Sequence, residues 1–235
     1  MANGSGHTVK AFDDDLTQLR ALVSEMGGRA EAAIADAIQA LIRRDLDGAL
    51  RVVQNDHRID EIETEIERQV VRLIALRAPM AVDLREVLAA LKIAGVVERI
   101  GDYAKNIAKR VPVLSEARGI EPMAILPAMA RAASAMVHDA LDAFAARDPK
   151  LASEVAERDK EVDDLYNSLF RSLLTYMMEN PHNITACAHL LFIAKNLERV
   201  GDHATNVAEM VYFAATGTHL AERSRGEDIL MTEVE

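Results

Sequence analysis

IAGVVERIGDYAKNIA, from Ile93 to Ala108, and IAKNLERVGDHATNVA, from Ile193 to Ala208, are two versions of one stretch. Nine of the sixteen positions are identical and two more exchange Ile for Val. The apolar members recur with a helical period: Ile93, Val96, Ile100, Ala104, Ile107 and Val111 share one face, as do Ile193, Val200, Ala204, Val207 and Val211. Turning about 100° per residue, Glu98, Asp102 and Asn106 fall roughly opposite that stripe, which puts the two carboxylates together on an outer face.

The repeat extends outward from this core. Asp45 and Asp148, Asp56 and Asp159, and Asp60 and Asp163 are each 103 residues apart, Pro79 and Pro181 are 102 apart, and Glu98 and Glu198 are 100 apart. The period implies two copies of a three-helix unit. The first long helix follows Phe12, Leu16, Leu19, Val23, Met26, Ile34, Ile38 and Leu41, passing through Gly27 and Gly28. Asp45 is placed to cap a second helix carrying Ile59, Ile62, Ile66, Val70 and Leu73, and Pro79 ends that helix or starts the next. The third runs from near Val82 to about Val111, with Pro112 as its stop. After a loop with Gly119 and Pro122, Ile125 to Phe144 gives a fourth helix. Asp148 and Pro149 start a fifth, Asn180 and Pro181 break it, and a sixth runs to about Ala215, with Gly217 as its stop. The predicted fold is all-α: six long helices in two tandem three-helix bundles, over residues 9–115 and 121–216, with a leader at 1–8 and a polar tail at 217–235.

Composition agrees. Aromatics are 4%, Trp is absent and Pro totals 6, while 50% of the 235 residues are apolar, enough for a sizeable core built from helix formers. The lone Cys187 cannot form an internal disulfide and reads as an inert buried thiol in a reducing compartment. A net charge of −11 opposes nonspecific nucleic-acid binding and adhesion to anionic lipid. No apolar run of membrane-spanning length occurs and Met1 to Gly6 lacks the apolar segment of a signal peptide, so the expected location is the cytoplasm.

Hairpin geometry gathers acids. Asp60 and Glu98 each lie 19 residues from Pro79, and Asp56 and Asp102 each lie 23. In the second repeat Asp163 and Glu198 lie 18 and 17 residues from Pro181, and Asp159 and Asp202 lie 22 and 21. An antiparallel hairpin therefore brings each quartet to one height, within about 1.5 Å of rise. Carboxylates so crowded take up protons or bind a cation. All-oxygen donors favour hard ions such as Mg²⁺, Ca²⁺, Mn²⁺ or ferric iron. The bare [DE]xxxD spacing carries little information, since about three matches are expected by chance in such a composition and four occur. Its recurrence at equivalent places is what makes Asp56, Asp60, Glu98, Asp102, Asp159, Asp163, Glu198 and Asp202 metal-ligand candidates, against the plainer reading of solvated acidic faces. Gly101 and Gly201 beside them mark a place where a side chain would obstruct a ligand or a neighbouring helix. Arg99 and Arg199 read as surface ion-pair partners, or as groups for a partner's acids. His203 reads as a surface histidine, matched by Tyr103. The single Glu-x-x-His match, Glu179 to His182, straddles Pro181, so a ferritin-like site is not indicated. No nucleophile with its base, phosphate loop or dinucleotide signature is present, which argues against an enzyme.

The doubled Glu-Arg-[Ile/Val]-Gly-Asp-x-Ala-x-Asn-[Ile/Val]-Ala, the Asp-x-x-[Ile/Val]-Asp at Asp56 to Asp60 and Asp159 to Asp163, and Phe-Asp-x-x-Leu at Phe12 to Leu16 resemble the PhoU family of phosphate-signalling proteins over about residues 8 to 216. The resemblance implies two PhoU repeats whose [DE]xxxD motifs, here the eight acids above, can hold iron, zinc or other metal clusters on the surface. It also implies a homodimer and a role in transmitting phosphate sufficiency. Such proteins restrain the high-affinity phosphate ABC transporter through its ATPase subunit, and hold the phosphate-sensing histidine kinase in a state that keeps the phosphate-starvation regulon off. The expectation is a cytoplasmic, non-enzymatic regulator recruited to the membrane by protein partners rather than by insertion. Competing readings are a metal-storing helical protein and, more remotely, a carboxylate-bridged metal hydrolase or oxidase.

Overall fold

Two arginine-aspartate turns set the plan of each half. Arg44 and Arg147 both adopt left-handed backbone, φ 56° and 55°, and the aspartate that follows caps the next helix. Asp45 accepts from Gly48 N at 2.8 Å, and Asp148 from Lys150 N at 2.9 Å and Leu151 N at 3.2 Å, so donors otherwise orphaned at a helix start are satisfied. The computed structural model describes residues 4–116 and 121–220, with side chains over 11–116 and 123–220. The helices are α1 (Gly4–Arg43), α2 (Leu46–Asn55), α3 (His57–Arg77), α4 (Val82–Ala108), α5 (Val111–Ser115), α6 (Leu126–Ala146), α7 (Pro149–Glu157), α8 (Asp159–Glu179) and α9 (Ile184–Thr216), with 3₁₀ turns at Glu121–Ile125 and Pro181–Asn183.

These form six long helical rods, as expected, with three local differences. The second and fifth rods are interrupted at Asp56 and Arg158. There Ile59 N donates to Asp56 O at 2.8 Å and Glu161 N to Arg158 O at 3.0 Å, short i→i+3 bonds that tighten the helix locally. Pro112 does not stop the third rod: α4 ends at Ala108, and Pro112 sits in the first turn of α5, where its missing N–H costs nothing. Helix α1 starts at Gly4, inside the span assigned to the leader. Residues 1–3, the loop at Gly119 and the tail beyond 220 lie outside the described residues. Gly27 and Gly28 lie within an unbroken α1; a Cβ on Gly27 would meet Leu141 Cδ1 at 2.0 Å, so its bareness lets α6 approach. Gly217, at φ 77°, closes α9.

Each half forms the expected three-helix bundle, and the two bundles pack against each other along their inner helices. Helix α4 packs along α9 and α1 along α6, so α1, α4, α6 and α9 enclose one continuous core with Met26, Ile34, Ile93, Ile100, Ile107, Met129, Met136, Ile193 and Val200 buried in it. The α2–α3 and α7–α8 rods lie outside this four-helix centre. Tyr103 meets His203, Arg110 meets His189 and Phe192, and Arg85 reaches the Ala214 carbonyl. Contacts therefore climb α4 as they descend α9, so the two run antiparallel. Leu141 against Gly27 and His138 against Glu31 show the same for α1 and α6. The repeats are thus related by an approximate two-fold axis crossing the middle of α4 and α9, and their hairpin bends lie at opposite ends.

Buried Glu86 ties the halves together. Its carboxylate meets Arg20 of α1 and Arg147 of the α6–α7 turn, each at 2.5 Å. Cys187 is buried, and burial raises its thiol pKa, as suits an inert core cysteine. No helix among the described residues is long and apolar enough to cross a membrane.

Candidate acidic sites

Each hairpin delivers its four acids to the seam between an outer rod and a central helix. In the first repeat Asp56 stands at the α2–α3 junction and Asp60 on the first turn of α3, facing Glu98 and Asp102 on α4. Asp56 is buried, Glu98 and Asp102 are half-buried and Asp60 is exposed. Lys105, one turn beyond Asp102, lies across the quartet, its Nζ donating to Asp56 Oδ2 at 2.5 Å and Asp102 Oδ1 at 2.9 Å. These bonds hold the lysine pKa well above its usual range. Partial desolvation, then the charge on Asp56, raises Asp60; desolvation, then Asp102, Glu63 and Asp60, raises Glu98.

In the second repeat Asp159 and Asp163 on α8 face Glu198 and Asp202 on α9. Burial, then Asp159 and Asp202, pushes Asp163 from 3.8 up to about 6. Glu198 is also raised, by burial first, although Lys195 Nζ donates to its Oε1 at 2.6 Å; its Oε2 is buried without a hydrogen bond.

The structure thus brings both quartets together and adds groups that the acidic motif does not contain. Lys105 and Lys195 supply counter-charge from positions that are not equivalent, and position 195 corresponds to Gly95 in the first repeat. There Glu63 lies beside the bare glycine, its Oε1 being 3.4 Å from where a Cβ would sit. In the second repeat Tyr166 takes the place of Glu63, with Lys195 over its ring at 5.4 Å. The sequence signal for both lysines was their spacing of three residues from Asp102 and Glu198, on the same helical side. Gly101 and Gly201 serve close packing and the acids alike. A Cβ at 101 would stand 2.8 Å from Ile59 Cδ1 and 3.6 Å from Asp56 Oδ1, and one at 201 would stand 3.3 Å from Asp159 Oδ1.

For a metal ion the donor type suits, and the lysines are its competitors. Among the described residues no three His, Cys, Asp or Glu side chains converge as a ligand set, and lysine ammonium groups hold the positions where a cation would neutralise the acids.

Two other expectations change. His203 is not a surface residue: it is half-buried in the α4–α9 seam, its ring set edge-on to Tyr103 with centroids 5.2 Å apart and Nε2 3.4 Å from Tyr103 Oη. Burial, together with the charges of Arg99 and Arg199, lowers its pKa. Arg99 and Arg199 are exposed and have no ion-pair partner among the described residues, whereas a surface salt bridge was expected.

Comparison with known proteins agrees with the duplicated architecture. The family model described as PhoU domain matches twice, over residues 23–111 and 126–211. A protein of Zymomonas mobilis called phosphate-specific transport system accessory protein PhoU homolog is 59% identical over 232 residues, covering 99% of this chain and 98% of its own. One of the same name from Caulobacter vibrioides is 50% identical, covering 95% and 98%. Among solved structures, PhoU from Pseudomonas aeruginosa matches with a TM-score of 0.83 at 38% identity, over 88% of this chain and all of that one. The phosphate transport system regulatory protein PhoU from Streptococcus pneumoniae matches with a TM-score of 0.83 at 28% identity, over 90% of this chain and all of that one.

Proposed function

The chain belongs to the PhoU family, and from that membership we propose that it is a non-enzymatic accessory regulator of a phosphate-specific transport system. In this reading it restrains the high-affinity phosphate ABC transporter through the ATPase subunit. It also holds the phosphate-sensing histidine kinase in the state that keeps the starvation response off while phosphate is plentiful. One observation carries the proposal: identity of 59% that runs nearly end to end with a protein bearing the accessory-protein name. A net charge of −11 supports recruitment to the membrane by protein partners rather than by anionic lipid. Homodimerisation belongs to the same proposal. Deleting the gene in its native organism should switch on phosphate-starvation genes in phosphate-rich medium; unchanged transcript levels there would refute it.

Metal binding at Asp56, Asp60, Glu98, Asp102, Asp159, Asp163, Glu198 and Asp202 is a narrower proposal. The oxygen donors and raised carboxyl pKa values favour taking up positive charge, and a hard cation would have to compete with Lys105 and Lys195 for it. None of these findings supports metal storage as the chain's purpose.

A further inference from the structure

The two arginines of the repeated motif are left over by everything described so far. Glu98 and Asp102 turn toward α3 and Glu198 and Asp202 toward α8, where lysines engage both sets. Arg99 and Arg199 stand about 60° further round each helix from Asp102 and Asp202, exposed and in no ion pair among the described residues, although the charge of Arg99 still reaches Glu98. They are equivalent positions of the repeat, so the approximate two-fold axis sets them on either side of the Tyr103–His203 contact.

Helical spacing extends this pair into a face. On α4, Leu88, Lys92, Arg99 and Asn106 are separated by 4, 7 and 7 residues, which keeps them within about 20° of Arg99, and all are exposed. On α9, Phe192, Arg199 and Asn206 repeat the spacing and the exposure. Because α4 and α9 are antiparallel neighbours, the strips lie side by side. Each ends in an exposed apolar group, Leu88 at 41% and Phe192 at 56% exposure. Arg110 lies over the Phe192 ring at 4.3 Å and adds a further cation at that end.

We infer that this α4–α9 face, with Arg99 and Arg199 at its centre, is a docking surface for an acidic helix of a partner protein. Charge complementarity selects the occupant. Two solvent-exposed guanidiniums give little to a small free anion, because water and salt screen the attraction. A protein that covers them while burying Leu88 and Phe192 makes charge-assisted, bidentate bonds out of water. Each arginine lies four residues, about 6 Å of rise, from the Tyr103–His203 contact and on opposite sides of it, so a helix laid along the seam with acidic side chains two to three turns apart meets both.

This inference rests on the accessory-regulator reading for the identity of the partner, and the test separates the two. Purified full-length chain is titrated against the immobilised transporter ATPase subunit and, separately, the cytoplasmic part of the phosphate-sensing kinase, both from the same organism. Wild type, R99E/R199E, R99Q/R199Q and the control R171E, on the exposed side of α8, are compared at low and physiological salt, with melting curves confirming the fold. The expected result is at least tenfold weaker binding of the R99E/R199E chain to one of the two partners, a smaller loss for R99Q/R199Q and a change under twofold for R171E. Binding by R99E/R199E equal to wild type, or an equal loss in R171E, overturns the docking face while leaving the regulator reading intact. Failure of the wild type to bind either protein overturns both. If sedimentation shows that R99E/R199E dissolves a wild-type dimer while partner binding is unchanged, the face belongs to a second copy and the inference is wrong.

Discussion

Asp163→Asn should make the protein more stable at pH 8 and leave it unchanged at pH 3.5. The Asp163 carboxyl is pushed up to about 6 by burial and by Asp159 and Asp202, so the native state holds this proton more tightly than the unfolded chain does. The stability it contributes is fully present below the ordinary value of 3.8 and is lost as pH rises through about 6. A rise of that size corresponds to at most about 3 kcal/mol. Asp163 is only half-buried and flanked by solvent, and screening reduces the figure to about 1 kcal/mol. Asparagine removes the charge and therefore the loss. In a chain of this length about 1 kcal/mol moves the midpoint by roughly 2–4 °C. Calorimetric melts from pH 3.5 to 8, in chelator to exclude bound cations, should show the variant and wild type together at the acidic end and the variant higher above pH 6.5. A variant that melts at or below wild type at pH 8, or an offset of the same size at both ends, would show that Asp163 is not held against its charge.

Gly101→Ala and Gly201→Ala should diverge in urea denaturation: the first is destabilised by about 1 kcal/mol because its Cβ meets Ile59 at 2.8 Å, while the second, at 3.3 Å from the Asp159 carboxylate, stays within about 0.5 kcal/mol of wild type as helix propensity offsets the contact. Glu86→Ala strands Arg20 and Arg147 at the junction of the halves. It should lower stability by about 2 kcal/mol, less than for a pair buried on both sides because the arginines keep some access to water; an unchanged denaturation midpoint would dismiss the clamp. Lys105→Met removes the ammonium between Asp56 and Asp102 and should tighten Mn²⁺ binding about tenfold by calorimetric titration, whereas Met substitution of the exposed Lys160 should not.

The long rods were legible because their determinants are local or periodic: apolar residues every three or four positions, aspartates at helix starts, prolines at bends. The breaks at Asp56 and Arg158 escaped the pattern since neither Gly nor Pro marks them and the interruption is a local switch of backbone hydrogen bonding to i→i+3. Pro112 misled because proline is as suited to a first turn as it is hostile to an interior. Counting residues from Pro79 and Pro181 was enough to level the acids, since rise per residue is fixed. It could not reveal that Lys105 and Lys195 lean into them, because side-chain choice among nearby partners depends on the packed seam. The His203 environment was likewise invisible from one helix alone; burial there is made by α4, which only the antiparallel crossing brings into contact.

That crossing has a consequence for how such a chain could arise. Helices α4 and α1 of one half meet α9 and α6 of the other through interfaces that map onto themselves when the halves are exchanged. A polypeptide holding a single repeat would leave the same apolar stripe of its α4 uncovered and would have to close it against a second copy of itself. The present molecule is in this sense a dimer joined into one strand. Joining released paired positions from having to be identical, and the chain has used that freedom: tyrosine faces histidine where a symmetric ancestor would have had to place one residue against itself, and each acidic seam has recruited its lysine from a different turn.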